Sequence, residues 1–362
     1  MKINVLSLFD GISCGMLALE RAGIEVDNYY ASEIDKYAEK ISNKHYKNII
    51  RLGNIMNWRY WDIDWSSIDL IIGGSPCQGF SNAGQGLNFK DPRSALVFIF
   101  FDILNHIRLF NPSIKFLLEN VKMKKEWVDI ISYNLGVEPV EINSALVSAQ
   151  NRQRLYWTNI AKIPQPEDKH IYLKDILTTT NTSRMPEYGN LDKSRPLTCH
   201  YSNNFGGWYD RIVDPNPSKQ QIDILATAVN TCGNDKSHCI KAQYHKNSLA
   251  NFVTNGGFAA TGVAEKIDDI YFKERKTGNN VFEIKNKSAI IYGKEYKLNL
   301  EDGLWSFRKF TPVEAERLQT LPDNYTECEG VSNTNRYKCI GNGWTVDVIA
   351  YIFSFLKEDK DE

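Results

Sequence analysis

The strongest constraint in this 362-residue chain is an alternation of short apolar runs with helix-like stretches through its first half. Asn4 to Phe9 is a β-rich apolar run. It leads through the turn Phe9-Asp10-Gly11-Ile12-Ser13-Cys14-Gly15 into a helix that Gly23 terminates. Tyr29 to Ser32 and Leu70 to Ile72 read as strands, the second closed by Gly73-Gly74, and Ser94 to Phe110 reads as a helix. Phe116 to Leu118 is a buried strand ending at Glu119-Asn120. A helix around Lys124 to Asn134 and strands near Val140 to Asn143 and Leu155 to Ile160 complete the pattern. Strands alternating with helices predict an α/β fold with a doubly wound, mostly parallel sheet covered on both faces.

From about Pro164 to Trp305 the character changes. Polar residues dominate, and Asn203-Asn204, Gly206-Gly207, Gly256-Gly257 and Asn279-Asn280 mark turns. Ile284 to Leu300 alternates as a hairpin around Gly293 would. Beyond it, Pro312 to Leu321 and Thr345 to Lys357 are again helix-like, and the last residues form a charged tail. The organisation expected is a core domain over 1–163, a smaller loop-rich domain over 164–305, and a return of the chain to the core over 306–362.

Composition excludes several classes. A hydrophobic fraction of 42% with 24% charged residues belongs to a globular protein. No stretch reaches the roughly 20 apolar residues that span a bilayer. Seven irregularly spaced cysteines and the lack of a secretory pattern at the N-terminus predict a reducing, cytoplasmic setting and no membrane partner. The net charge of −1 does not by itself suggest nucleic acid, although a basic cleft fits such a sum when acids lie on other faces.

Several constellations carry chemistry. The turn from Phe9 to Gly15 joins the first strand to the first helix, where open α/β sheets bind nucleotide-like ligands. Glu33 follows the second strand, at roughly the spacing where an acid bonds ribose hydroxyls. The spacing is not G-x-G-x-x-G, so a dinucleotide is disfavoured, and a plain tight turn also fits. Gly73-Gly74-Ser75-Pro76-Cys77-Gln78-Gly79-Phe80-Ser81 sets a cysteine at the carboxyl end of a buried strand, well placed for a nucleophile. A buried structural thiol is the alternative. Glu119-Asn120-Val121 ends the next strand, where partial burial would suit the carboxyl to proton donation. In Gln150-Asn151-Arg152-Gln153-Arg154, alternation points both arginines to one side, towards a carbonyl-rich or anionic substrate or into surface ion pairs. Arg308 to Gln319 reads as a helix with a charged face, and Asn342 in Gly341-Asn342-Gly343-Trp344 as the cap of an apolar helix.

Taken in order, these motifs resemble the C5 cytosine-specific DNA methyltransferases of the bacterial and phage restriction-modification type, over Val5 to about Asn159 and Arg308 to about Phe353. The resemblance implies the methyltransferase variant of the Rossmann-like sheet, with the middle stretch as target recognition domain. It implies S-adenosylmethionine as cofactor, S-adenosylhomocysteine as product, and double-stranded DNA as partner. The catalytic set it implies is Cys77, Glu119, Arg152 and Arg154: Cys77 attacks C6 of a flipped-out cytosine, Glu119 serves N3 and the amine edge, Arg154 bonds O2, and Arg152 supports the site. Cofactor residues would be Phe9, Asp10, Gly11, Ile12, Gly15, Glu33, Ile34, Asn54, Ile55, Pro76, Leu96, Asn342, Gly343 and Trp344. Phe9 would stack near the adenine and Glu33 hold the ribose. Gln78, Ser81, Asn82 and Asn120 would meet DNA from the catalytic side, Gly79 to Lys90 would form the loop that closes on it, and Arg195, His200, Asn203, Arg211 and Lys241 would meet it from the middle domain.

The chain departs from the family's pattern in three places. Ser75 stands where many bacterial members have Phe, Asn54 where Asp is common, and Gly343-Trp344 where small residues are usual. The expected context is a monomer in the bacterial cytoplasm or nucleoid, alongside a cognate restriction endonuclease. Competing readings are a tRNA cytosine-5 methyltransferase, disfavoured by the missing Cys-Phe-Thr signature and the long insert, and an inactive DNA-binding adaptor. An NAD-dependent oxidoreductase is disfavoured by the glycine spacing. His200, Cys232, His238 and Cys239 do not have the spacing of a zinc site, so no metal is expected.

Overall fold

The computed structural model describes residues 2–76, 96–160, 162–178, 225–230, 261–267, 281–286, 288–291, 294–297, 302–308 and 310–357. Seven strands form the main sheet: β1 (Lys2–Leu8), β2 (Glu25–Ser32), β3 (Ile50–Arg51), β4 (Leu70–Gly74), β5 (Lys115–Val121), β6 (Val140–Asn143) and β7 (Gln153–Thr158). Their order is β3-β2-β1-β4-β5-β7-β6. Pairing is parallel from β3 through β5, whereas β7 runs antiparallel to both β5 and β6.

The central strands alternate between two cores. Val5, Ile72 and Leu117 face one, and Leu6, Leu8, Ile71, Phe116 and Leu118 face the other. Burial on both faces is why these strands read as nearly continuous apolar runs. The first core takes the helices α1 (Cys14–Arg21) and α2 (Lys36–His45). The second takes α3 (Leu96–Arg108) and α4 (Lys125–Leu135). The sequence reading missed α2, whose start is marked by Asp35 accepting hydrogen bonds from the backbone of Tyr37 and Ala38.

Beyond a short helix α5 (Leu173–Ile176), the described part of the middle stretch is β-structure. It comprises β8 (Leu225–Asn230), β9 (Thr261–Ile267), β10 (Val281–Ile284), β11 (Ser288–Ile291), β12 (Lys294–Lys297) and β13 (Gly303–Arg308). Four of these form an antiparallel sheet in the order β10-β13-β9-β8, while β11 and β12 pair antiparallel, in keeping with the hairpin expected there; Gly293 itself lies outside the described residues. The last strand continues past residue 305 to Arg308, and Phe310 is again core.

Three helices close the chain: α6 (Pro312–Leu318), α7 (Asn333–Asn342) and α8 (Val346–Ser354). Two expectations change here. Asn342 is the last residue of α7, and Thr345 caps α8, because Gly343 breaks the helix between them. The 308–319 segment is not a helix with a solvated charged face: Arg308 ends β13, and Glu314 and Glu316 are both 0% exposed. Their carboxylates are buried because backbone and side-chain donors from other segments saturate them. Among the described residues no helix is long and apolar enough to cross a membrane.

Candidate active site

The parallel register brings the carboxyl ends of β1, β4 and β5 to one edge, with Leu8 opposite Gly73 and Gly74 opposite Glu119. Because β7 is reversed, its amino end lies at the same edge, with Arg154 opposite Val121. Four separate stretches of sequence therefore converge there.

The turn after β1 is conformationally unusual. Phe9, Gly11 and Ser13 have φ of 59°, 60° and 59°. Left-handed backbone costs about 1–2 kcal/mol at a non-glycine residue, so Phe9 and Ser13 need support. Asp10 supplies it from inside. Its buried carboxylate accepts hydrogen bonds from Ser7 Oγ (2.7 Å), Ser13 Oγ (2.5 Å) and Tyr29 Oη (2.8 Å), with Arg51 3.5 Å away. Burial raises its carboxyl above the usual value, against the lowering effect of these hydrogen bonds and the Arg51 charge. From the other side, the Tyr325 hydroxyl donates to the carbonyl of Ile12 at 2.8 Å.

The edge of this turn is bound to Glu33, whose Oε2 accepts from Gly11 N (2.8 Å) and whose Oε1 accepts from Ile34 N and Asp35 N. Beside it Ile34 is 74% exposed, an apolar side chain left uncovered at the rim of the crevice. Asn54 Oδ1 accepts from Met56 N (3.0 Å), and Ile55 is buried.

On the β4–β5 side, Asn120 Nδ2 donates to Ser75 Oγ at 2.9 Å, tying the end of one strand to the end of the next. Glu119 and Arg154 are both buried, with Arg154 Nε 2.9 Å from Glu119 Oε1. The N–H is not aimed at that oxygen, and Arg154 Nε has no hydrogen-bond acceptor among the described residues. Arg154 Nη1 donates to the Gln153 carbonyl at 2.8 Å.

Trp344 joins the two halves. A Cβ placed on Gly74 would lie 2.7 Å from Trp344 Nε1 and 3.0 Å from Glu119 Oε2. One placed on Gly15 would lie 2.5 Å from Ile72 Cδ1 and 3.5 Å from Trp344 Cζ3. The indole thus fills space that both glycines leave, next to the Glu119 carboxylate. Gly343 packs against Cys14 at the start of α1, and half-buried Leu96 opens α3. Among the described residues Arg152 reaches the carbonyls of Gly343 (3.1 Å) and Gly341 (3.5 Å), while Arg154 lies against Glu119.

Comparison with known proteins decides the family. A family model described as "C-5 cytosine-specific DNA methylase" matches residues 3–358. The chain belongs to the C-5 cytosine-specific DNA methylases. This methylase is 27% identical over 371 residues to the type II methyltransferase M1.ScrFI of Lactococcus lactis subsp. cremoris, covering 99% of this chain and 78% of that protein. To the type II methyltransferase M.SsoII of Shigella sonnei it is 26% identical over 355 residues, covering 96% and 78%. Its fold is that of the Entamoeba histolytica methyltransferase EhMeth, at a TM-score of 0.57 with 17% identity and 100% coverage of both chains. The protein is thus a DNA (cytosine-5-)-methyltransferase.

Several residues singled out by the sequence lie outside the described part of the methylase: Cys77, Gln78, Ser81, Asn82 and the loop from Gly79 to Lys90, then Arg195, His200, Asn203, Arg211, Lys241, Cys232, His238 and Cys239. Pro76, half-buried, is the last described residue before Cys77. Among the described residues no group of three or more His, Cys, Asp or Glu stands together as a metal site would require. The sequence reading overlooked Gly74 as a spacer and Ser75 as Asn120's partner. The Gly73-Gly74 doublet ahead of Pro76 was the available signal for the first, while the second had none, since the pair is 45 residues apart.

Proposed function

We propose that this DNA methyltransferase takes its methyl group from S-adenosylmethionine and transfers it to C5 of a flipped-out cytosine in a specific duplex sequence, through a covalent Cys77–C6 adduct. The cofactor would lie along the crevice from the Phe9–Gly15 turn to Trp344. The residues there fit it: a strained turn is held open, Glu33 is anchored at its edge, Ile34 offers an exposed apolar face, and two glycines leave room for the indole. Phe9, Gly11, Ile12, Glu33, Ile34, Asn54, Ile55, Pro76, Leu96, Asn342, Gly343 and Trp344 would line this pocket, with Asp10 supporting the turn from within. S-adenosylmethionine, when bound, supplies an electrophilic methyl group to C5 and leaves as S-adenosylhomocysteine.

The observation that carries the reading is the buried Glu119–Arg154 pair at the edge where β4 leads into Cys77. A cytosine inside the stack hides C5 and C6, so the base must swing out to meet it. The Cys77 thiolate would then add to C6, while Glu119 bonds the N3 and amine edge and gives N3 a proton, directing electron density to C5. The unused Arg154 N–H suits the base O2, and loss of the C5 proton would release Cys77. Cys14 and Cys339 are poor alternatives, because burial pushes their thiols up to about 12 and disfavours the thiolate.

Residues 164–305 would serve as target recognition domain, with Arg195, His200, Asn203, Arg211 and Lys241 meeting DNA, and Gln78, Ser81, Asn82 and Asn120 meeting it from the catalytic side. Two relatives named type II methyltransferases support a restriction-modification setting in a bacterial cytoplasm, with a cognate endonuclease as partner. The test is transfer of tritiated methyl from S-adenosylmethionine to duplex DNA, wild type against Cys77→Ala. Acid-stable label at cytosine C5 with wild type alone is expected, and its position maps the recognised sequence. Label on tRNA but not on duplex DNA, or equal label with Cys77→Ala, would refute the reading.

A further inference from the structure

We infer that Arg152 is a positioning residue of the cofactor crevice and that Arg154, two residues on, serves the base alone. This rests on the function proposed above. The Arg152 guanidinium is buried, with the residue 4% exposed, and donates to the carbonyl of Gly343 at 3.1 Å and, at longer range, to that of Gly341 at 3.5 Å. These carbonyls sit at the carboxyl end of α7, where the last turn leaves acceptors unpaired and the helix dipole favours a cation. Arg152 therefore caps α7 from the residue just ahead of β7, 189 positions away in sequence.

The capped end of α7 leads straight into the crevice. Gly343 packs against Cys14 at the start of α1, and Trp344 fills the space beside Gly15 and Gly74. The turn 341–344 is thus seated on the Phe9–Gly15 turn, and Gln319 Nε2 holds it from below at the carbonyls of Ile340 (2.9 Å) and Gly343 (3.2 Å). Arg152 is itself fixed at its backbone: its N–H donates to Asn143 Oδ1 (3.0 Å), and its carbonyl accepts from Ser144 N (3.0 Å). The side chain spans from the entry to β7, which carries Arg154, to the turn that carries Trp344. The two arginines of one motif consequently support two different halves of the reaction.

The halves can be measured apart. In cofactor-free enzyme, addition of a thiolate to C6 lets C5 take a solvent proton, and loss of the C5 triton with expulsion of the thiolate releases tritium to water. This exchange on [5-³H]cytosine DNA reads the base half. Affinity for S-adenosylhomocysteine, by calorimetry, reads the cofactor half. Arg152→Gln is expected to weaken S-adenosylhomocysteine about tenfold, the worth of one charge-assisted hydrogen bond, and to raise KM for S-adenosylmethionine in parallel, with exchange near the wild-type rate. Arg152→Lys, which keeps a cation and guards against loss of the fold, is expected to recover part of the affinity. Arg154→Gln should show the reverse pattern. The inference is overturned if folded Arg152 variants bind S-adenosylhomocysteine like wild type, or if they lose exchange as Arg154→Gln does. Wild-type protein that binds no S-adenosylhomocysteine would instead refute the proposed cofactor, so the two failures are distinguishable.

Discussion

At Gly74 a single hydrogen atom separates two functional groups. Any larger residue would press on the Trp344 indole and the Glu119 carboxylate together, at 2.7 and 3.0 Å from its Cβ. Overpacking of this kind costs about 1–3 kcal/mol, and here the strain falls on the edge proposed to be catalytic. Gly74→Ala is therefore expected to lower methyl transfer about tenfold or more while the protein still folds. Trp344→Val introduced into Gly74→Ala should recover part of the loss, because it removes one side of the squeeze. Steady-state rates of the two singles and the double check this, and strictly additive losses would show that the indole is not the obstacle. Asp10 illustrates a related point: its carboxylate faces inward and holds the turn whose backbone meets the crevice.

Among the elements, α6 departs most from its appearance in the sequence. Its charged residues look like a solvated stripe, yet Glu314 spans both chain crossings into the middle stretch. It accepts from Thr178 N (2.9 Å) and Thr178 Oγ1 (3.0 Å) on the way out, and from Thr311 N (2.7 Å) on the way back. Glu316 similarly gathers Asn324 N, Thr326 N and the Arg336 guanidinium. Glu314→Ala should destabilise the protein by about 1–3 kcal/mol, since it strands partly buried donors. Glu314→Gln keeps one acceptor oxygen and should lose less. Urea unfolding of both variants provides the check, and equal losses would mean that the acceptor oxygen retained by glutamine contributes nothing.

For the molecule as a whole, 43 basic residues against 44 acidic ones leave no net field to draw DNA from a distance. Affinity for duplex must then come from locally placed Lys and Arg, whose phosphate contacts weaken with salt by a slope of about 0.9 per phosphate. KM for DNA is expected to rise steeply with sodium chloride while the dissociation constant of S-adenosylhomocysteine, which carries no net charge, stays nearly flat. A parallel rise in both would show that salt perturbs the fold of the catalytic edge rather than phosphate contacts alone.

Much of this was legible in the residues. Apolar runs locate β1, β4, β5 and β7, because a strand buried on both faces is apolar along most of its length, whereas β2 and β6 show only short apolar stretches. The antiparallel pairing of β11 with β12 was legible from a different local signal, alternation interrupted by a glycine. The apolar runs put Glu119 at the close of one strand and Arg154 just ahead of another; the structure carries β5 on to Val121 and starts β7 at Gln153. Three things were decided only by tertiary structure: the reversed direction of β7, the burial of Glu314 and Glu316, and the parting of Arg152 from Arg154. Each depends on partners outside the element itself, the most remote being Gly343, 191 positions from Arg152. Local propensity and spacing govern which element a segment forms. Which buried donor a charged side chain will meet is settled only when packing brings remote backbone groups together and excludes the water that would otherwise serve them.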